Sequence, residues 1–454
     1  SLRHQTRKGN NYWRIMSVFV LDKYGKPLMP CSEKRARLLL SRHRARVHRL
    51  VPFVIRLTDI RLQDASLQPL QVKLDPGSKT TGIAVVRVAE PVGIGRSVSV
   101  LFLMELIHRG RQISESLTAR RAMRRRRRGQ LRYRAPRFNN RAKPKGWLAP
   151  SLHHRVETTI NWVARLRRWA PVSGLVSELV RFDMQAMENP DISGVEYQQG
   201  TLFGYEVREY LLEKWGRSCA YCSKKESPLQ IEHVVPKARG GSNRISNLTL
   251  ACGPCNTKKG ARSIEEFVKD SATLKRILAK LKAPLRDAAA VNSTRWALLS
   301  ELKKTGLPVE SASGGRTKFN RSQLGIPKTH ALDAVCVGKI DAVTDWRRPT
   351  LTVTCMGRGM YQRAKLNKFG FPRGHSIREK RIKGFQTGDI VLAMVPASSK
   401  KAGQYIGRVA IRKTGSFNIQ AGGNVIEGIS HKYCQLIQRG DGYRYHQSQT
   451  KIAA

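Results

Sequence analysis

The stretch "CAYCSKKESPLQIEHVVPKARGGSNRISNLTLACGPCN" sets two Cys-x-x-Cys knuckles, Cys219 with Cys222 and Cys252 with Cys255, on either side of the 29 residues 223 to 251. Four thiolates suit a closed, tetrahedral structural zinc site. Two knuckles joined by one compact segment point to a shared ion, and a redox role for either pair fits that spacing poorly. The other four of the eight cysteines are scattered singles. The first fifteen residues are polar and basic, without the apolar core and small-residue cleavage site of a secretory signal, and read as an upstream extension or tag. Metal binding therefore fits the cysteines better than a disulfide framework.

Charge narrows the partners. The 84 Lys and Arg against 32 Asp and Glu leave a formal net charge of +52 over 454 residues, so the folded chain alone would repel itself. A large polyanion is the expected partner. Nucleic acid fits best, since arginines are spread over the whole chain and no apolar run approaches the roughly 20 residues of a membrane span. A basic protein of a membrane surface is the weaker reading; a location in the prokaryotic cytosol or nucleoid is expected.

The densest positive charge is internal. In "ARRAMRRRRRGQLRYRAPRFNNRAK", residues 119 to 143, half of the span from Arg120 to Arg141 is arginine, and neither Asp nor Glu occurs from Ser116 to Val156. A run of like charge is usually solvated or a tail. Here both ends are tied to apolar segments, and the Ala, Met, Leu and Gln spacing permits a helix once phosphates neutralise the charge. With about 100° between successive residues, Arg124 to Arg128 would radiate to all sides of that helix. Arg120, Arg121, Arg132 and Arg134 extend the basic surface, and Tyr133, Phe138 and Trp147 are interleaved where bases could stack.

Three carboxylates stand out for their settings. Asp75 ends the strand-like "QVKLDPG", Glu178 lies in the apolar "GLVSELV", and Asp333 lies in the apolar helix-like "HALDA" with His330 three residues before it on the same face. Each alone reads as a turn former, a surface charge or half of an ion pair. Carboxylates in apolar surroundings are costly unless paired or metal-bound. Two hard cations about 3.5 to 4 Å apart, held by several such groups, could activate water and stabilise the leaving oxygen of a phosphodiester.

In their order and contexts these segments resemble the three split pieces of a RuvC-like nuclease of RNase H fold. The resemblance implies Asp75, Glu178 and Asp333 as ligands of two Mg2+ ions, with His330 as a proton-transfer or metal-contacting residue. The cysteine-rich stretch resembles the HNH nuclease motif, a ββα-metal fold. That implies His233 as general base, Asn256 and Glu232 as ligands of one Mg2+, Asn247 as an orienter of the site, and the four cysteines as the structural Zn2+ site. Adjacent strand residues point to opposite faces, so Glu232 and His233 reach one metal only if the strand ends there.

The combination, with "GKPLMPCSEKRARLLL" and its Pro27 to Pro30 ahead of "LDPGSKTTGIAVV", resembles the IscB family of transposon-encoded RNA-guided nucleases, ancestor-like relatives of the type II CRISPR effectors. The expected class is multi-domain α/β. Its parts are an extension at 1–15, an N-terminal α/β module at 16–62, RuvC segment I at 63–114, an arginine-rich bridge helix at 115–146, RuvC segment II at 147–208, an HNH domain at 209–270, a linker helix with RuvC segment III at 271–340, and a barrel-like C-terminal domain at 341–454. The resemblance implies a monomer in a ribonucleoprotein. A structured guide, ωRNA, would pair with one strand of a double-stranded DNA target that the C-terminal domain recognises by a flanking motif. HNH would cut the guide-paired strand and RuvC the displaced one. Rival readings are an RNA-independent two-site endonuclease of homing or junction type, a TnpB-like guided nuclease with one site, and a basic RNA-binding protein with degenerate nuclease domains.

Overall fold

A computed structural model describes residues 17–90, 95–129, 144, 146–179, 205–225, 228–281, 286–357, 364–369, 371–375, 377–421 and 424–448. The chain divides into two compact units, the second of which is Leu179–Trp296 with Ser313–Gly315.

The first unit opens with a small sheet. Strands β1 (Val18–Leu21) and β2 (Pro27–Cys31) are followed by α1 (Glu33–Ser41), which Ser32 caps by accepting from the Arg35 amide at 3.3 Å. Strands β3 (Ala45–Arg49) and β4 (Val54–Leu57) complete the order β2-β1-β4-β3. Next come β5 (Leu70–Pro76), β6 (Thr80–Ala89) and β7 (Ser97–Ile107), an antiparallel meander of buried apolar runs. The arginine-rich helix α2 (Gly110–Gly129), helix α3 (Pro150–Trp169) and strand β8 (Val172–Glu178) follow. The face of α3 carrying Val156, Trp162, Val163, Leu166 and Trp169 is buried in the core. Each such large side chain contributes about 1.5 to 3 kcal/mol when withdrawn from water.

The second unit contains α4 (Tyr205–Trp215), a hairpin of β9 (Leu229–His233) and β10 (Leu248–Cys252), and helices α5 (Gly253–Lys259), α6 (Ile264–Phe267) and α7 (Ser271–Leu281). It has its own core around Leu211, Trp215, Leu250 and Ile277.

Helix α8 (Arg286–Lys303) sends Leu298 and Leu302 into the core of the first unit. Strand β11 (Val309–Ala312), helix α9 (Gly314–Gln323) and the short helix α10 (His330–Val335) follow, then strands β12 (Ala342–Thr344) and β13 (Thr350–Cys355). The strands that follow are β14 (Ala364–Leu366), β15 (Pro372–His375), β16 (Ile390–Val395), β17 (Gly403–Ala410), β18 (Ser416–Ala421), β19 (Asn424–Ser430), β20 (Cys434–Gln438) and β21 (Tyr443–Ser448), with a 3-10 turn at His431–Tyr433 between β19 and β20.

The central sheet has the order β11-β8-β5-β6-β7-β13-β21, with β12 also on β7. Strands β8 and β11 run parallel to β5, whereas β6 is antiparallel to both its neighbours. Helix α10 lies directly on β6. A Cβ at Gly82 would come within 1.8 Å of the His330 carbonyl oxygen, so only glycine allows the approach.

Two expectations change here. Residues 342–355 and 443–448 lengthen the central sheet instead of belonging to a separate C-terminal domain, because β13 pairs with β7 and β21 with β13. Between them, β16 to β20 form a five-stranded antiparallel sheet of order β19-β18-β17-β16-β20. Its end strands do not pair with each other, so among the described residues it is an open sheet and not a closed barrel. Asp441 ties this region inward by accepting from Arg49 at 2.6 Å and from the buried Arg165 at 2.7 Å.

Candidate active sites

The C-terminal ends of two neighbouring parallel strands carry the first pair of carboxylates. Leu74 of β5 is in register with Ser177 of β8, so Asp75 and Glu178 leave the sheet side by side. Helix α10 brings His330 and Asp333 over the same edge. Thr329 caps the helix by accepting from the Leu332 amide at 3.1 Å. Its other end is held from below, where the buried ammonium of Lys73 donates to the carbonyls of Val335 (3.3 Å) and Val337 (2.8 Å). Asn320 donates to those of Cys336 (2.9 Å) and Gly338 (2.8 Å). Lys73, two residues before Asp75, escapes a reading by sequence because a lysine in a strand normally marks solvent.

His330 Nδ1 donates to Asp75 Oδ2 at 2.9 Å. Asp333 is flanked by Arg321 Nε at 3.0 Å and Lys328 Nζ at 3.6 Å. Glu178 accepts from the Thr317 hydroxyl; burial, then the charge of Asp75 and, more weakly, that of Asp333 push its carboxyl up to about 8. Burial and the Asp75 charge likewise push Asp333 up to about 6, against the pull of Lys328, Arg321 and His330. Two acids raised by burial and by the charge of a third mark a place where added positive charge would be favourable. Such an all-oxygen set fits hard divalent cations.

The second unit holds the other constellation. The Sγ atoms of Cys219, Cys222, Cys252 and Cys255 all lie within 4.8 Å of one another. Those of Cys222 and Cys252 are 3.7 Å apart, too far for a disulfide and close to the edge of a tetrahedron with metal–sulfur bonds of about 2.3 Å. The four cysteines therefore fit a zinc ion.

His233 ends β9, and its Nε2 donates to Asn243 Oδ1 at 2.8 Å, which leaves Nδ1 to accept a proton. Asn243 was hidden in sequence by its place in a loop of turn formers. Asn247 accepts from the Val235 amide (2.8 Å) and donates to the carbonyls of Val235 (3.0 Å) and Ser242 (2.8 Å), closing the loop that leaves His233. Gly241 permits that closure, as a Cβ there would meet the Val235 carbonyl oxygen at 1.7 Å. Asn256 on α5 donates to Gln230 Oε1 at 2.7 Å.

Glu232 differs from its expected part as a metal ligand. It is only 5% exposed, and both its oxygens are taken, one by Lys259 Nζ at 2.6 Å and the other by the Tyr221 hydroxyl. The physical reason is strand alternation. Glu232 faces α5, and the buried Lys259 of that helix takes the carboxylate.

Helix α2 exposes Arg120, Arg121, Arg124, Arg125 and Arg126, while Ala119 is buried. Arg126 stacks over the Phe371 ring at 4.4 Å. Arg127 and Arg128 belong to the same helix. Arg132, Arg134, Tyr133 and Phe138 lie outside the described residues. Beneath the root of α2, His108, His154 and Cys355 cluster within 4.8 Å. Both ring nitrogens of His108 already meet hydroxyls, Thr81 at 2.7 Å and Thr158 at 3.2 Å, making a closed polar network. No described helix is long and apolar enough to cross a membrane.

Residues 18–200 match the family described as RRXRR protein, and residues 219–271 the family described as HNH endonuclease. Among solved structures, the chain is similar to the Type II-C Cas9 enzyme from Actinomyces naeslundii, at 14% identity and a TM-score of 0.23 over 61% of this chain and 60% of that one. It is similar to Streptococcus thermophilus Cas9 in complex with the GGAA PAM at 14% identity and a TM-score of 0.22, over 57% of this chain and 32% of that one. The chain thus spans less than two thirds of either protein. No curated protein matches the sequence.

Proposed function

We propose, from the premise that this chain is an IscB/Cas9-like RuvC/HNH nuclease, that it cuts both strands of a DNA target chosen by a bound guide RNA. The observation that carries the nuclease reading is the convergence of Asp75, Glu178, Asp333 and His330 from three widely separated segments onto one sheet edge, with His233 in a second unit. The order of β7, β6, β5, β8 and β11, with the first three antiparallel and the last two parallel to β5, supports an RNase H-type core.

Asp75, Glu178 and Asp333 are the residues that would hold two Mg2+ ions in the first unit, and Asn256 would contribute to holding one beside His233. Bound there, the ions supply Lewis-acid stabilisation of the phosphorane charge and a more acidic water. The chain's own residues do the positioning. Asp75 orients the His330 ring through Nδ1, leaving Nε2 to exchange a proton with the attacking water or the leaving 3′ oxygen. In the HNH unit, Asn243 holds the proton on His233 Nε2, so that Nδ1 takes the proton of the water that attacks the guide-paired strand. A general base of this kind contributes about 10² to 10⁴-fold.

The exposed arginines of α2 would bind RNA phosphates, which position a duplex without reading its sequence. On this reading the RNA is an ωRNA, the chain acts as a monomer within the ribonucleoprotein, and part of the 341–454 region meets the motif flanking the target. Sequencing the nucleic acid that co-purifies with the protein, followed by cleavage of a matching DNA, tests the guided reading. A discrete structured RNA with a variable segment supports it, and efficient cutting by RNA-free protein refutes it.

A further inference from the structure

The HNH unit contains a buried relay that the nuclease reading does not use. Tyr221 lies inside the first knuckle, between Cys219 and Cys222, and its hydroxyl donates to Glu232. Glu232 is paired with Lys259, whose ammonium is fully buried. Lys259 also donates to the main-chain carbonyl of His233 at 2.9 Å. Lys259 in turn ends α5, the helix that follows directly on Cys252, its N-cap residue, and contains Cys255 of the second knuckle. The Tyr221 ring is fixed edge-on against Phe267 at 5.1 Å.

A buried lysine and glutamate are costly to desolvate and are kept only with good geometry and every remaining hydrogen bond satisfied. Here all partners are present: Tyr221 takes one carboxylate oxygen, and Lys259 divides its donors between the other oxygen and the His233 carbonyl. The two routes, through Tyr221 and through α5, end on the same strand terminus.

We infer that Tyr221, Glu232 and Lys259 are positioning residues that transmit the geometry of the four-cysteine site to the backbone of His233, so that the knuckles set where the general base stands. The inference rests on His233 being that base. It makes Glu232 an internal anchor, and the zinc site part of the cutting apparatus as well as of the fold.

The test uses the full chain with its RNA. Tyr221→Phe deletes one hydroxyl, and the double variant Glu232→Gln with Lys259→Met removes both charges together, so that neither is left buried alone. Three readouts are compared with wild type: strand-resolved cutting, zinc per chain, and hydrogen exchange over residues 229–235. Both variants are expected to cut the guide-paired strand about 10 to 100-fold more slowly, the usual scale for groups supporting a site from behind. They should keep their zinc, cut the displaced strand at the wild-type rate, and exchange faster only over 229–235. Lys259→Arg, which keeps the charge and a donor, should recover part of the rate. Wild-type cutting and exchange in both variants would overturn the inference. So would loss of zinc with faster exchange throughout residues 205–281, which would mean a purely structural cluster. If wild type itself fails to cut the guide-paired strand, the assignment of His233 falls, while the exchange comparison still decides whether the relay holds the strand.

Discussion

His330 Nδ1 stands 2.9 Å from Asp75 Oδ2, although 255 residues separate the two in the chain. The contact joins the C-terminal end of β5 to the first residue of α10. Asp75→Ala is expected to slow cutting of the displaced strand by roughly a thousandfold, the scale of losing a charge-stabilising group in an active site. His330→Ala should cost less, about 10² to 10³-fold, and neither should slow the guide-paired cut. Denaturing gels with each strand labelled separately measure both.

Gly82 is where the fold permits that contact. Gly82→Ala would set a Cβ 1.8 Å from the His330 carbonyl oxygen, so α10 must move off β6. The expected result is a loss of about 1 to 3 kcal/mol in stability, as for other overpacked sites. Cutting of the displaced strand should fall more than that of the guide-paired strand. Thermal melting and the same gels check it.

Proton linkage gives a third expectation. Glu178 is raised to about 8 and Asp333 to about 6, so without metal both hold protons more tightly than in the unfolded chain. Their protonated forms therefore stabilise the fold below pH about 4, and that contribution is lost as pH rises, through about 6 for Asp333 and about 8 for Glu178. The metal-free protein should melt at lower temperature at pH 9 than at pH 6, once other groups are allowed for by a Glu178→Gln control. Divalent cations must displace these protons, so Mg2+ affinity at this site should rise between pH 6 and 8. Calorimetry in buffers of different ionisation enthalpy would show proton release on binding.

The arginine helix can be tested by salt. Replacing Arg125, Arg126 and Arg127 by alanine removes about three phosphate contacts if all three meet RNA. The slope of log affinity against log salt should then fall in magnitude by about 2 to 3. RNA-dependent cutting should weaken while both sites stay chemically intact. An unchanged slope would return the run to the status of a solvated surface.

Sequence patterns reveal the ingredients better than the pairings. Asp75, Glu178 and Asp333 could be read because each interrupts an apolar run, and burial is where a carboxylate needs a partner. The knuckles could be read from spacing alone. The attachment of β13 and β21 to the central sheet could not, since period-two alternation says which face is buried but not which strand lies alongside. Lys73 and Lys259 were invisible for a related reason: a lysine is buried only when distant carbonyls or a carboxylate await it, and those partners, at Val337 and Glu232, lie 264 and 27 residues away. The resemblance to the HNH motif implies Glu232 as a metal ligand. Its orientation was decided by α5, whose Lys259 claims it first.

The most direct measurement of the central claim is strand-resolved cleavage of a supercoiled plasmid carrying the target, with Mg2+, using wild type, His233→Ala and Asp75→Ala, each with and without RNA. Two independent sites under RNA control require that wild type linearises the plasmid only with RNA. They also require that His233→Ala nicks only the displaced strand and Asp75→Ala only the guide-paired strand. Loss of both cuts in either variant, or linear product without RNA, would contradict it.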